Sequence, residues 1–132
     1  MRYGPAMTDV LVRRHGVAVL ECAADGPPLA TDADATDLVG TALGAGVEMV
    51  AVPVARLAPE FFTLASGVAG ILLQKLVTYR LRLAVVGDIG AHLATSRALR
   101  DLVAESNRGN QVWFVDSAAD LDTRLAAERR RP

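Results

Sequence analysis

Val47-Glu48-Met49-Val50-Ala51-Val52-Pro53-Val54 is the stretch of sequence that decides the fold. Its β-branched residues and nearly continuous apolar character predict a strand buried on both faces, like a central strand flanked by helices. Pro53 must lie at the end of that strand, because proline cannot donate a hydrogen bond to a neighbouring strand. Two shorter runs of the same kind, 83–86 and Val112–Val115, follow it and are predicted to be further buried strands.

A hairpin precedes this pattern, and helices separate its strands. Residues 9–13 and 17–22 are short β-prone runs, and Arg14-His15-Gly16 between them predicts a turn. A capping box, Thr31 with Asp34, predicts the start of a helix that ends near Gly44 and Gly46. Three later helices are expected. One covers residues 59–79, a second begins after a Ser96 cap, and the third covers Ala118–Arg129 after a Ser117 cap.

This alternation of strands and helices predicts one α/β domain over residues 8–126. Residues 1–7 and 127–132 are expected to be flexible termini. The strand order predicts a mixed sheet of four or five strands, with right-handed crossovers and helices packed mainly on one face.

The composition excludes several function classes. The chain has 132 residues, is 52% hydrophobic, and carries 14 basic against 15 acidic side chains. A disordered chain, or a surface for nucleic acid or an anionic membrane, is therefore not expected. The longest apolar run, 67–73, is too short to span a membrane. The single cysteine, Cys22, indicates a reducing cytoplasm, and His15 and His92 show no metal-ligand spacing, so neither a metal nor a cofactor is expected.

The predicted 59–79 helix carries a possible interaction strip. Most of its apolar residues share one broad arc, but Leu64 and Ile71 fall on the opposite, polar arc. They are either ordinary exposed aliphatic residues or parts of a docking strip for a partner or a second copy. The residues assigned to that strip are Leu64, Ser66, Gly67, Ile71, Gln74 and Lys75.

Several segments together resemble a bacterial family of uncharacterised proteins, the domain of unknown function 4180. They are Leu20-Glu21-Cys22, Asp25-Gly26-Pro27-Pro28-Leu29, Phe61-Phe62, Ser66-Gly67, Ala69-Gly70, Leu73-Gln74-Lys75, Ala84-Val85-Val86-Gly87-Asp88 and Glu105-Ser106-Asn107-Arg108-Gly109. The resemblance covers about residues 8–126 and implies no established activity.

A second, architectural resemblance is to the STAS domains of sulfate transporters and anti-sigma factor antagonists. Val47–Val54, Leu64-Ala65-Ser66-Gly67 and Arg80-Leu81-Arg82 follow the order of the STAS strand, switch motif and basic turn. In that superfamily the phosphorylated hydroxyl lies two residues before the glycine, where this chain has Ala65. The resemblance implies a STAS-like fold, and only Ser66 remains as a candidate phosphorylation site.

Polar residues after the 83–86 strand suggest a different function. Asp88 and His92 follow the carboxyl end of a strand, where open α/β sheets bind ligands, and Glu105 and Asn107 are candidates for the same patch. The alternative interpretation makes Asp88 a loop cap and the 105–109 segment a helix end with a left-handed Asn107 or Gly109. Ser66, His92 and Asp88 supply the residue types of a hydrolase triad, but the nucleophile elbow is missing.

The sequence thus predicts a non-enzymatic cytoplasmic regulatory module that binds a protein partner or forms a homodimer. Neither nucleic acid nor a membrane is an expected partner. The alternative is a small-molecule-binding domain or minor enzyme with its pocket near Asp88, His92 and Glu105.

Overall fold

The computed structural model describes residues 9–129. The chain begins with two strands and then alternates helices with strands. These elements are β1 (Val10–Arg14), β2 (Val17–Glu21), α1 (Asp32–Ala45), β3 (Met49–Pro53), α2 (Val68–Thr78), β4 (Arg82–Val86), α3 (Gly90–Thr95), α4 (Arg97–Arg108), β5 (Val112–Val115) and α5 (Ala118–Arg129).

The strands form one mixed sheet in the order β1-β2-β3-β4-β5. β1 pairs antiparallel with β2, and the remaining neighbours pair parallel. The His15-Gly16 turn joins the hairpin, and both residues have positive φ angles, 51° and 84°. Such angles match the two-residue turns that follow the twist of a hairpin. The predicted α/β domain with a mixed sheet is confirmed, and the finer STAS-like label stays a prediction.

Helices cover the two faces of the sheet unequally. The larger apolar cluster packs α1, α2 and α4 against one face, with Phe61 and Phe62 between them. The smaller cluster packs Leu121 and Leu125 of α5 against the opposite face, together with Trp113. β3 is buried between these clusters, which explains its apolar sequence.

The predicted helix caps of α1 and α4 are confirmed. Thr31 and Asp34 form a reciprocal capping box at the start of α1, and Gly46 ends that helix in the left-handed conformation. Hydrogen bonds from the backbone N–H groups of Ala30 and Thr31 lower the pKa of the Asp34 carboxyl. The Ser96 hydroxyl accepts a hydrogen bond from the N–H of Leu99 and starts α4.

The continuous helix predicted over 59–79 is wrong. Short 3-10 helices occupy Pro59–Phe62 and Leu64–Ser66, and α2 begins only at Val68. Gly67 separates them with a φ of 83°, a left-handed conformation that ends the preceding turn. α3 was not predicted; it is a six-residue helix without a side-chain cap.

The predicted flexible termini, residues 1–7 and 127–132, fall mostly outside the described residues. Residues 127–129 belong to α5. Residues 1–8 and 130–132 lie outside the described residues, so the flexibility expected for them is not addressed. Between residues 9 and 129, no helix is long and apolar enough to cross a membrane.

Candidate functional sites

Half of the predicted interaction strip lies on one exposed face of α2. Ile71, Gln74 and Lys75 follow helical spacing, and Ile71 is 42% exposed. Tyr79, just past the helix, is 49% exposed on the same side. A shallow cavity of about 350 Å³ is lined by Asp32, Ile71, Gln74, Lys75, Thr78 and Tyr79. We call these six residues the α2 face.

Lys75 is fixed on this face by α1. Its Nζ lies 2.7 Å from an Asp32 carboxylate oxygen and donates a 2.9 Å hydrogen bond to the Thr36 hydroxyl. Asp32 is 67% exposed, so water screens the pair. These contacts therefore fix the position of the Lys75 side chain but add little to the stability of the fold.

The other half of the strip belongs to the 3-10 segment before α2. Leu64 is half-buried and packs against the larger apolar cluster, so it is not the exposed aliphatic residue that the helical wheel predicted. The Ser66 hydroxyl donates to the carbonyl of Glu60 at 2.6 Å and accepts from the N–H of Val68 at 3.2 Å. Ser66 thus supports the start of α2, and its phosphorylation stays a prediction.

Asp88 and His92, two of the residues expected to form a ligand patch, have separate local partners. An Asp88 carboxylate oxygen accepts a 2.8 Å hydrogen bond from the N–H of Gly90, which is the predicted loop cap. His92 stacks on Phe62 with ring centroids 4.3 Å apart and planes 12° apart. Glu105 is exposed. Within residues 9–129, no hydrogen bond joins Ser66, His92 and Asp88 into a triad.

Asn107 has a structural partner that the sequence does not reveal. Its side-chain amide accepts from the N–H of Phe114 at 2.7 Å and donates to the carbonyl of Phe114 at 3.1 Å. The backbone N–H of Gly87 donates to the carbonyl of Val115, and that of Leu83 donates to the carbonyl of Gln111. The backbone groups of odd-numbered residues in β5 therefore point towards β4, and those of Phe114 point away from the sheet. Asn107 therefore caps the free edge of β5. The predicted left-handed cap at Asn107 or Gly109 is wrong, because Asn107 is helical and Gly109 has a φ of −97°.

Arg124 of α5 ties this edge to the opposite face of the sheet. Its guanidinium donates to the Asn107 carbonyl at 2.7 Å and lies 4.3 Å from the centroid of the Trp113 ring. Arg82 lies near the same ring, at 4.8 Å. Burial lowers the pKa of Arg124, yet a guanidinium remains charged at neutral pH. Contact with the π-face of Trp113 offsets part of the lost hydration.

A cavity of about 350 Å³ opens beside Asn107, at the carboxyl ends of β4 and β5. The helices that follow these neighbouring strands pack on opposite faces of the sheet, so the two connections diverge at this point. Ligand sites of α/β sheets form where connections diverge in this way. The lining residues are Gly87, Ile89, Leu93, Val103, Asn107, Phe114, Val115, Asp116, Asp120 and Arg124. Of the four predicted ligand residues, this lining includes Asn107 alone.

Arg56 is a buried charged residue that the sequence did not indicate. It is 8% exposed, and its guanidinium contacts a carboxylate oxygen of Asp9 at 3.0 Å. It also donates to the carbonyls of Ala23 and Pro27. A Cβ on Gly26 would overlap this guanidinium, which explains the glycine there. The glycine in the Asp25-Gly26-Pro27 loop was the one available signal of a close approach.

Cys22 is a buried free thiol. Burial raises the pKa of the Cys22 thiol to about 12, so the nucleophilic thiolate is scarce at neutral pH. Across residues 9–129, His, Cys, Asp and Glu side chains form no group of three or more that could hold a metal ion.

The comparisons with known proteins agree with the resemblance in the sequence. No curated protein and no solved structure matches the chain significantly. The family model for the domain of unknown function DUF4180 matches residues 14–125, from the end of β1 through most of α5. The chain therefore belongs to the DUF4180 family.

Proposed function

We propose that this chain is a small non-enzymatic regulatory module that binds a protein partner through the α2 face. The observation that carries the proposal is the exposure of Ile71 and Tyr79 beside one shallow cavity. Two exposed apolar side chains on the rim of a concave surface can anchor a partner side chain. Gln74 and Thr78 lie on the same face and offer hydrogen bonds that would orient that partner.

The chemistry of the α2 face defines the partner. Lys75 is already paired with Asp32, so the face carries little unbalanced charge. The partner is therefore a protein segment that places one aliphatic or aromatic side chain between Ile71 and Tyr79, with polar groups around it. A helix-in-groove contact of this kind needs only a few anchor residues.

A selection for binding peptides, compared across two variants, tests this proposal. Peptides that bind the full chain are selected from a display library, and their affinities are measured by fluorescence anisotropy. Ile71→Asp introduces a charge on the α2 face and is expected to weaken binding at least about tenfold, which corresponds to about 1.4 kcal/mol.

Val77→Asp is the matched control, because Val77 is 48% exposed on the same helix but points about 120° away from Ile71. The α2 face is rejected as a docking site if the selected peptides bind both variants with the affinity of the wild type. It is also rejected if the library yields no binder.

We also assign the module to the cytoplasm. The only cysteine in the sequence is buried as a protonated thiol, which suits a reducing compartment. Fractionation of cells that express the tagged chain tests this assignment, and recovery with an extracytoplasmic fraction contradicts it.

A second candidate function is the binding of a small cationic molecule at the cavity beside β4 and β5. The observation that favours it is the pair of exposed carboxylates, Asp116 and Asp120, at a point where connections diverge. Arg124 lies in the same lining and donates to the Asn107 carbonyl, but the two carboxylates outnumber its single guanidinium, so the lining is net negative.

A thermal-shift screen with a panel of amines tests this candidate. A rise in Tm that disappears in Asp120→Asn but persists in Glu105→Gln supports it. An amine panel that leaves Tm unchanged removes this candidate.

A further inference from the structure

The outer edge of β1 presents backbone groups that β2 does not use. The backbone N–H of Cys22 donates to the carbonyl of Ala51, and that of Glu48 donates to the carbonyl of Ala18. The backbone groups of the even-numbered residues of β2 therefore point towards β3. Its odd-numbered residues therefore pair with β1. In the observed register these pairs are Val10 with Glu21, Val12 with Val19 and Arg14 with Val17. The N–H and C=O groups of Leu11 and Arg13 consequently point away from the sheet.

This edge is open in the part of the chain that the structure describes. Among residues 9–129, no backbone or side-chain group bonds to the outward N–H and C=O groups of Leu11 or Arg13. The edge is also apolar, because Val10 is 50% exposed and Leu11 is 55% exposed. An exposed apolar edge strand is a template for pairing with another strand.

We propose that β1 pairs antiparallel with β1 of a second copy of this chain. The twofold axis passes beside Leu11, so that Leu11 lies opposite its counterpart and Val10 lies opposite Val12 of the other copy. The outward groups of Leu11 then bond across the axis, and the two sheets become one continuous sheet. Such an interface is isologous, since the same residues serve both sides.

Charge complementarity selects both the partner and the register. With Leu11 on the axis, Asp9 of one copy lies directly opposite Arg13 of the other, on the same face of the sheet. Asp9 uses one carboxylate oxygen, Oδ1, for Arg56 and for the N–H of Ala23, and no residue between 9 and 129 bonds to Oδ2, which can accept from Arg13.

The neighbouring registers do not place Asp9 of one copy opposite Arg13 of the other. A two-residue shift of the pairing moves the axis to Val12, which places Arg13 opposite Leu11 and leaves the guanidinium without a carboxylate. A further shift moves the axis to Arg13 and places the two guanidinium groups opposite each other, where like charges repel.

The short strand sets the strength of the dimer. β1 has five residues, so the paired edges cover a small area and the dimer should be concentration-dependent.

Analytical ultracentrifugation of the full chain over a range of concentrations tests the proposal. The wild type should shift from the monomer mass towards twice that mass as the concentration rises. Leu11→Pro removes one outward N–H without removing a bond to β2, because the Leu11 N–H points away from β2 and proline is tolerated at such edge positions. This variant should dimerise at least tenfold more weakly, while Val77→Lys, at an exposed apolar site on α2, should dimerise like the wild type.

The proposal is overturned by a wild type that stays monomeric at every concentration, or by a dimer that survives Leu11→Pro. If circular dichroism shows that Leu11→Pro does not fold, Arg13→Glu decides, since it places two carboxylates opposite each other and should also weaken the dimer. An unchanged dimer in Arg13→Glu rejects the register and the proposal. Ile71→Asp should leave the dimer intact, so this test and that of the α2 face can fail independently.

Discussion

The two edges of the sheet are treated in opposite ways. At β5, the Asn107 side chain accepts from the N–H of Phe114 at 2.7 Å and donates to its carbonyl at 3.1 Å. At β1, the outward groups of Leu11 and Arg13 have no such partner among the described residues. The difference shows that Asn107 blocks a further strand from pairing with β5 at Phe114, whereas β1 remains available to one.

The connections of the two strands explain this difference. α4 leads into β5 through a short loop, so its last turn runs beside the strand and places Asn107 against the edge. β1 joins the sheet through the His15-Gly16 turn, which is too short to bring another element alongside it. The last turn of α4 thus covers β5 at Phe114, whereas the hairpin turn brings no described element to the outer edge of β1.

Removal of Arg56 should have the largest effect, because this residue anchors the start of the open edge. Arg56→Leu leaves the Asp9 carboxylate without its cation and two carbonyls without their donor. Breaking a buried pair in this way should lower the free energy of unfolding by about 3 kcal/mol. Urea denaturation measures the loss.

Arg97→Leu is the control for this prediction. Arg97 is exposed at the start of α4, and its replacement should change the free energy of unfolding by no more than about 0.5 kcal/mol. Equal effects of the two substitutions would show that Arg56 does not hold β1 in place.

Opening the closed edge should have the next largest effect. Asn107→Ala leaves the Phe114 N–H and C=O groups without their partners, so the free energy of unfolding should fall by about 2 kcal/mol. It should also give β5 an edge to which other chains can add, which light scattering would detect as concentration-dependent association.

Glu105→Ala provides the comparison on the same helix, since Glu105 is exposed, and its stability should stay within about 0.5 kcal/mol of the wild type. Stability of Asn107→Ala equal to that of Glu105→Ala would contradict the edge-capping role.

A change remote from both edges should have the smallest effect of the three. Asp34→Asn weakens the capping box of α1 and should cost about 1 kcal/mol at neutral pH without altering self-association. The pKa of Asp34 is lower in the folded chain than in the unfolded one, so its stabilising contribution is present above the unfolded pKa of about 3.9. That contribution disappears as the pH falls through the folded pKa.

The difference between wild type and Asp34→Asn should therefore shrink on going from pH 7 to about pH 3. Thermal unfolding at the two pH values measures it. A constant difference would show that the Asp34 charge does not contribute to the cap.

Local signals in the sequence were sufficient for most of the fold. The apolar run around Val50 predicted the central strand, and the Thr31–Asp34 pattern predicted the start of α1. Both features depend on residues within a few positions of each other. The prediction for 59–79 failed because Phe61 and Phe62 fall on the same helical arc as the later apolar residues, although Gly67 breaks the segment with a left-handed φ.

The candidate sites were harder to predict, because they depend on contacts between distant residues. Arg56 meets Asp9 across 47 positions, and nothing near either residue indicates the pair. Asn107 was considered for a ligand patch or a helix end, but its partner is a backbone group seven positions later on the adjacent strand. The shared face of Ile71, Gln74 and Lys75 could be predicted from helical spacing alone.

The contrast between the two edges is tested most directly by amide hydrogen exchange at Phe114 and Leu11, measured by NMR over a range of protein concentrations. The Phe114 amide should be protected at every concentration, because Asn107 accepts its hydrogen bond within the chain. The Leu11 amide should exchange quickly in dilute solution and slow down as the concentration rises and β1 pairs with a second copy. Exchange at Leu11 that does not depend on concentration, or fast exchange at Phe114, would contradict the account.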